Sequence, residues 1–425
     1  MPADALVLVV ETDDDPVIGG LGEEVAEELR GVPGLAVRSA GERDATLTLA
    51  RMGDNEVRAR LLSDGTALWT ITEDRSQPYL VTAVAGGVAT ALGRSLPRRT
   101  ATTREQEGFE LYLEARHAMR HHWSVDVSRA LSLLDAAAAK LPDDPRVRAT
   151  RVLVRVRDAF FERGPDPSRF DELRADARDA LRDAPDRVDA WEAAARAELY
   201  AGHTVEAARL LVDATGRFPG SAPLHGLLGA LIGECGDLEG GLRRVEMARW
   251  LAPESETDAV THAYLLLLSG RHDEARSLLR SPVRGPTARP LEEMRIAVWE
   301  GRMEAPVATH DVIPQLAEWI GGAAHVLATR SMPPGFAVAV DRYLAQPASP
   351  RFHAGLQQRL SELLVRGGEA EHALELIVDA SLGALTDLAW FDHCPVLDEL
   401  RGDPRFVDAR ARVAATAEAV LAVLG

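Results

Sequence analysis

Four short stretches carry residue types that could do chemistry. Asp13-Asp14-Asp15 follows an apolar run, a place where carboxylates can hold a divalent cation. No partner acid or lysine stands at a later strand end, so capping of the next helix is the better reading. Gly19-Gly20-Leu21-Gly22 invites a dinucleotide reading, but Glu24 and Val25 stand where the third glycine is needed, and acids precede it where pyrophosphate would sit. His121-His122 are adjacent, and on a helix neighbours point about 100° apart, too divergent to share one ion. His393-Cys394 pairs an imidazole with a thiol, yet no third group orients them, which favours a packed loop. Lys140, the only lysine, ends an alanine-rich helix before Pro142, where a cation complements the helix dipole. No metal ligand set, cofactor motif or catalytic residue is assigned from these stretches. The enzyme alternative is a metal or nucleotide pocket built on Asp13 to Asp15.

The elements around these stretches fall into two kinds. Ala5–Glu11 predicts a buried strand, 17–30 a helix with Leu21, Val25, Ala26 and Leu29 inward, and 35–39 a second strand. Strands over 45–51, 56–62 and 67–73 follow, separated by Gly53-Asp54-Asn55 and Ser63-Asp64-Gly65, and a helix over 79–96 closes the unit. Thr46, Thr48 and Ala50 alternate with Leu47 and Leu49, as a half-buried strand requires. This predicts a small α/β domain over residues 1–97.

From residue 104 onward the pattern is helical. Helices over 105–121, 125–141, 145–162 and 169–184 make two antiparallel pairs, the second with a long connection at 163–168. Gly202, Gly236 and Gly270 then recur every 34 residues, as do Ala195, Gly229 and Ala263, and Ala207, Gly241 and Ala275. Pro219 and Pro253 close two units. A period of 34 with small residues, a helix-ending glycine and a terminal proline is the tetratricopeptide pattern. Glycine suits the left-handed position where a helix ends, and Glu206, Glu239 and Asp273-Glu274 suit the start of the next. The alanines and glycines stand where paired helices touch, with Trp191, Leu199 and Leu211 filling the rest. The repeats run over 104–286. In 287–425 the period is lost after Pro282, with helices over 291–299, 312–328 and 335–345. Arg366-Gly367-Gly368-Glu369 restores it between helices over 351–365 and 369–380, and a helix over 404–424 ends the chain. The fold class is a small α/β domain followed by an all-α solenoid of antiparallel helix pairs.

Composition narrows the partners. A net charge of −18 opposes phosphate backbones and anionic membrane surfaces, so neither nucleic acid nor membrane is expected as a partner. Two cysteines in distant segments form no framework, no apolar run spans a bilayer, and the N-terminus lacks a basic leader, pointing to a soluble, cytoplasmic protein.

Stacked helical hairpins offer the first helix of each unit to a concave face. Asp189, Glu192, Arg196 and Tyr200 in the first unit, Ala230 and Glu234 in the second, and Thr257, Val260 and Tyr264 in the third occupy that face by position.

Three segments resemble known families. The first ninety residues, with Glu28-Leu-Arg-Gly-Val-Pro-Gly-Leu-Ala-Val37 and the meander ending Leu68-Trp69, resemble the TolB-like α/β domain that precedes tetratricopeptide arrays in bacterial regulatory proteins. Glu107-Gly-Phe-Glu-Leu-Tyr-Leu113 looks like the first repeat helix of such proteins. Leu388-Ala-Trp-Phe-Asp-His-Cys-Pro395 with Leu400-Arg-Gly-Asp-Pro-Arg-Phe406 is similar to the end of the repeat region of bacterial serine/threonine protein kinases. The resemblance implies a non-catalytic regulatory or scaffold region that binds a protein partner or an attached output domain, with self-association as a further possibility. The chain has no kinase Gly-rich loop, His-Arg-Asp or Asp-Phe-Gly.

Overall fold

The computed structural model describes residues 5–75, 80–94, 106–119, 127–161, 168–280, 289–303, 314–346 and 348–424. The first apolar run is strand β1 (Leu6–Thr12), and Asp15 caps helix α1 (Pro16–Arg30) by accepting from the N–H groups of Val17 and Ile18. Strands β2 (Leu35–Arg38), β3 (Ala45–Met52), β4 (Glu56–Ser63) and β5 (Thr66–Asp74) follow, then helix α2 (Leu80–Ala91). They form one sheet in the order β2-β1-β3-β4-β5. β1 runs parallel to both neighbours, and β3, β4 and β5 form an antiparallel meander. Leu47, Leu49, Val57, Ala59 and Leu61 are buried on the face covered by α1 and α2, as the alternation requires. The helix expected over 79–96 ends at Ala91 because Gly93 turns left-handed (φ 68°) and Arg94 N–H reaches back to Ala89 O at 2.7 Å.

The solenoid starts with α3 (Gln106–Ala118), α4 (Val127–Lys140), α5 (Pro145–Phe161) and α6 (Ser168–Asp183). Its regular units are α7 (Val188–Tyr200) with α8 (Thr204–Arg217), α9 (Ala222–Glu234) with α10 (Leu238–Leu251), and α11 (Glu256–Leu268) with α12 (His272–Leu279). Gly202, Gly236 and Gly270 all take the left-handed backbone (φ 87°, 105° and 74°). At Gly202 and Gly270 the next N–H closes the helix end, His203 to Glu198 O at 2.8 Å and Arg271 to Leu266 O at 2.9 Å. The small-residue columns do mark the crossings. A Cβ on Gly241 would lie 2.7 Å from the carbonyl oxygen of Gly229.

Then come α13 (Arg289–Glu300), α14 (Pro314–Thr329), α15 (Phe336–Leu344), α16 (Pro350–Arg366) and α17 (Ala370–Leu382). The period is lost after Pro282, but the glycine closure of the helix end recurs. α13 ends on Gly301 with φ 68°, and Arg302 N–H reaches Ala297 O at 3.1 Å, the same closure 31 residues after Gly270. Gly368 (φ 82°) with Glu369 N–H to Leu364 O at 2.9 Å repeats it before α17. Short helix α18 (Leu388–His393), a 3-10 turn over Pro395–Leu400 and α19 (Pro404–Leu421) complete the chain.

The end of the chain turns back onto the repeats. Trp390, Phe391 and Phe406 share a core with Leu265, Leu267 and Trp299, while Ala417 and Val420 of α19 join the core of the first units.

Candidate functional site

The inner face of the first helices is built from polar residues spaced so that one side chain per turn points inward, and the structure fills that face from within the chain. On α7, Asp189 accepts from Arg116 Nη1 at 2.5 Å and from the Thr150 hydroxyl. Glu192 accepts from Arg157 Nη2 at 2.5 Å and Arg196 Nε at 2.8 Å. Against the cost of burial, these two guanidiniums hold its carboxyl down to about 2. Arg196 donates onward to the Tyr200 hydroxyl at 2.8 Å, and the Tyr200 ring packs on Phe160, which stands edge-on to Phe352 of α16.

Further along, Glu234 accepts from Arg351, whose other nitrogen donates to the Thr386 hydroxyl at 2.8 Å. Tyr264 donates to Asp387 Oδ2 at 2.5 Å and accepts from Gln358 Nε2 at 3.0 Å, with the Arg295 guanidinium 4.3 Å above its ring. Arg295 in turn grips Glu362, which also accepts from Trp390 Nε1 at 2.8 Å. The expected partner face at Glu234 and Tyr264 is therefore covered by α16, residues 384–387 and α18. Asp189, Glu192, Arg196 and Tyr200 are all under a tenth exposed. This corrects the expectation of open groove positions: a spacing rule finds the inward face but cannot say that the same chain returns to cover it. Ala230, Thr257 and Val260 are half-buried and keep part of that face toward solvent.

Asp258, one turn before His262 on α11, is 5% exposed and lies on the backbone of Gly226, where a Cβ would stand 2.0 Å from its Oδ1. Burial raises its carboxyl to about 6, a rise opposed by Ser255 and Arg196. His262 is lowered to about 4 by burial and by Arg249, whose Nη1 stands 3.1 Å from His262 Nδ1.

A second buried network ties the α/β unit to the solenoid. Gly20, Glu24 and Glu27 line one side of α1, and a Cβ on Gly20 would lie 1.9 Å from the Leu113 carbonyl oxygen, so α1 and α3 touch backbone to backbone. Gly22 meets the Thr12 side chain of β1. The glycines thus serve helix packing inside α1, not a phosphate loop. Arg116 Nη2 holds Glu27 at 3.0 Å, and Arg187 Nη2 holds Glu24 at 3.0 Å, with the Tyr112 hydroxyl donating to Glu24 at 2.5 Å. Burial raises the Glu24 carboxyl, but Arg187 and Arg116 outweigh it and hold it below its usual range. Sequence reading missed these residues. The available signal was the i, i+4, i+7 stripe of Gly20, Glu24 and Glu27 beside the apolar one.

Among the described residues, the acids of the first loop, Lys140 and Cys394 have structural surroundings. Asp13 accepts from Arg51 N–H at 2.7 Å and Asp15 caps α1 while pairing with Arg51 at 2.8 Å. Cys394 is fully buried, and burial pushes its thiol well above the usual range. Lys140 pairs with Glu107 at 2.7 Å. His121 and His122 lie outside the described residues. Among the described residues no three His, Cys, Asp or Glu side chains converge as a metal site, and no helix is long and apolar enough to cross a membrane. An open cleft of about 470 Å³ lies beside α16 and α17, lined by Leu344, His353, Gln357, Asp379, Leu382 and Ala384.

No family model matches the chain, and no curated protein matches it in sequence. Among solved structures, MamA (41-end) from Desulfovibrio magneticus RS-1 aligns at 15% identity and TM-score 0.28, covering 41% of this chain and 93% of that one. The human IFIT1 dimer with m7Gppp-AAAA aligns at 14% identity and TM-score 0.35, covering 64% and 63%. The APC/C hetero-tetramer Cut9-Hcn1 aligns at 13% identity and TM-score 0.40, covering 75% and 63%. Likeness at this level says nothing about function, and the fold class rests on the sheet and helical hairpins described above.

Proposed function

We propose that this chain is a non-catalytic scaffold or regulatory region of a bacterial signalling system that binds a protein partner, or an attached output domain, through its solenoid. The observation that carries the reading is the way buried ion pairs join the α/β unit, the regular hairpins and the closing helices into one body. Glu24 and Glu27 are held by Arg116 and Arg187, and Glu234 by Arg351. A rigid body of stacked hairpins presents a long, preorganised surface, the arrangement that favours association with little ordering cost. The resemblance of the first ninety residues to TolB-like domains supports the regulatory part of the reading.

The partner contacts the rim of the inner face at Thr257 and Val260, and the buried Asp189, Glu192, Arg196 and Tyr200 with the half-buried Glu234 and Tyr264 hold that rim in shape. A photo-cross-linking residue at Val260, compared with one at Arg243 on an exposed face of α10, tests this in cells. A single protein adduct from Val260 and none from Arg243 is the expected result. Equal labelling at both positions would remove the rim assignment.

A further inference from the structure

The open cleft beside α16 and α17 brings hydrogen-bond acceptors and apolar walls together. Leu344 closes α15, Ala354 and Gln357 stand on α16, and Asp379 and Leu382 belong to the last turn of α17. Its volume of about 470 Å³ falls among those of small-molecule sites, about 300 to 1,000 Å³. Gln357 is 2% exposed, and its Nε2 donates to Asp379 Oδ2 at 2.6 Å. Its Oε1 and Asp379 Oδ1 meet no donor among the described residues, and no cation pairs with Asp379 there. Since Gln357 is otherwise buried and lines the cleft, its oxygen opens into it. Arg405, which shares the hollow on the other side of Asp379 and Leu382, is taken up by Glu371 at 2.6 Å and Asp403 at 3.0 Å. Two helices also end at the cleft, α15 at Leu344 and α17 at Leu382, and the last carbonyls of a helix carry partial negative charge. Leu382 is 68% exposed, the most of any large apolar side chain among the described residues.

We propose that this cleft binds a small organic cation, an ammonium or guanidinium group carried on a short aliphatic chain. The charged head donates to Asp379 Oδ1 and Gln357 Oε1, and the chain lies on Leu344, Ala354 and Leu382. Other classes of ligand each fail on one wall. An anion would face Asp379 and two helix C-termini. A bare calcium ion would find one carboxylate and one amide oxygen where it takes about six to eight ligands. A neutral hydrocarbon would cover Leu382 but strip water from Asp379 and put nothing in its place. Only a cation on a hydrocarbon body makes charge-assisted hydrogen bonds to both oxygens and removes Leu382 from water.

The probes are n-butylguanidinium and n-butylammonium, added to the full chain and followed by saturation-transfer NMR, with butyrate and 1-butanol as controls of like size. Both cations should receive saturation, butyrate should receive none, and 1-butanol should bind about tenfold more weakly. Asp379→Asn keeps an acceptor for Gln357 and should weaken both cations by about tenfold. Glu375→Gln, one turn earlier on α17 and outside the cleft, should leave binding unchanged. Leu382→Arg sets a guanidinium of the chain's own at the mouth and should exclude the probes. The proposal is overturned by a lack of transfer to both cations, by butyrate or 1-butanol binding as tightly as they do, or by Glu375→Gln weakening them as much as Asp379→Asn. Unchanged binding by Asp379→Asn overturns it too. Should that variant misfold, Leu382→Arg decides, since the position is exposed and packs no core, and unchanged binding there is equally fatal.

Discussion

The regular hairpins and the closing helices solve the same packing problem by opposite means. From α7 to α12, paired helices approach through alanine and glycine, and each hairpin chiefly touches its neighbours, so stability accumulates unit by unit. From α13 to α19, large side chains meet instead: Trp299, Trp390, Phe391 and Phe406 are almost wholly buried around the Arg295–Glu362 pair. That second region also reaches far along the chain, through Arg351 to Glu234 and through Asp387 to Tyr264. The difference teaches where cooperativity comes from here. Short-range packing makes the solenoid, and the closing helices make it one unit.

The largest test of this contrast is Arg295→Met. It leaves Glu362 charged and buried beside Trp390, and should destabilise the full chain by about 3–5 kcal/mol in urea unfolding. Hydrogen exchange should rise in α11 and α18 together, since Tyr264 and Trp390 lean on the same pair. Adding Glu362→Leu should recover most of the loss. A single-variant loss below about 1 kcal/mol would show that the pair does not bind the two regions.

Gly241→Val probes the other side. Its Cβ must displace the Gly229 carbonyl or the Gly233 backbone, at a cost of about 3 kcal/mol, with raised exchange confined to α9 and α10. Exchange that spreads to α13 and beyond would mean that the regular units are not independent.

Asp258 sets a pH dependence within the regular units. Burial pushes its folded carboxyl up to about 6 from an ordinary 3.8, so the folded state binds the proton more tightly. Stability therefore falls as pH rises between those values. Asp258→Asn should gain about 2 kcal/mol relative to wild type on going from pH 4.5 to pH 7. Glu192 works the other way, with stability present above the ordinary glutamate range and lost toward about 2, below this window. A difference between the two proteins that is independent of pH would refute the assignment.

The smallest effect is at a cap. Asp237 accepts from Gly240 N–H at 2.8 Å at the start of α10, and Asp237→Ala should cost about 1 kcal/mol, read as a lowered melting temperature.

How much of this was legible varies with distance along the chain. The 34-residue columns, the strand alternation at Thr46 to Arg51 and the acids at helix starts are local rules, and each appears where the spacing placed it. Gly301 was legible too, but an interval of 31 hid it from a search for 34. The period gives the helix positions of Glu234 and Tyr264 but not the partners that meet them. Nothing near Glu234 or Tyr264 in sequence signals Arg351, Gln358 or Asp387.

The amino-acid sequence by itself determined the two kinds of element, the hairpin repeat and the glycine at each helix end, because these follow from backbone sterics and hydrogen bonds within a few turns. Only the tertiary structure decided that α1 meets α3 through Gly20, that Glu24 and Glu27 are buried under Arg187 and Arg116, and that later helices cover Glu234 and Tyr264. Such contacts depend on which surfaces meet after the superhelix has turned, and small rotations per repeat accumulate into that geometry without leaving a period in the sequence.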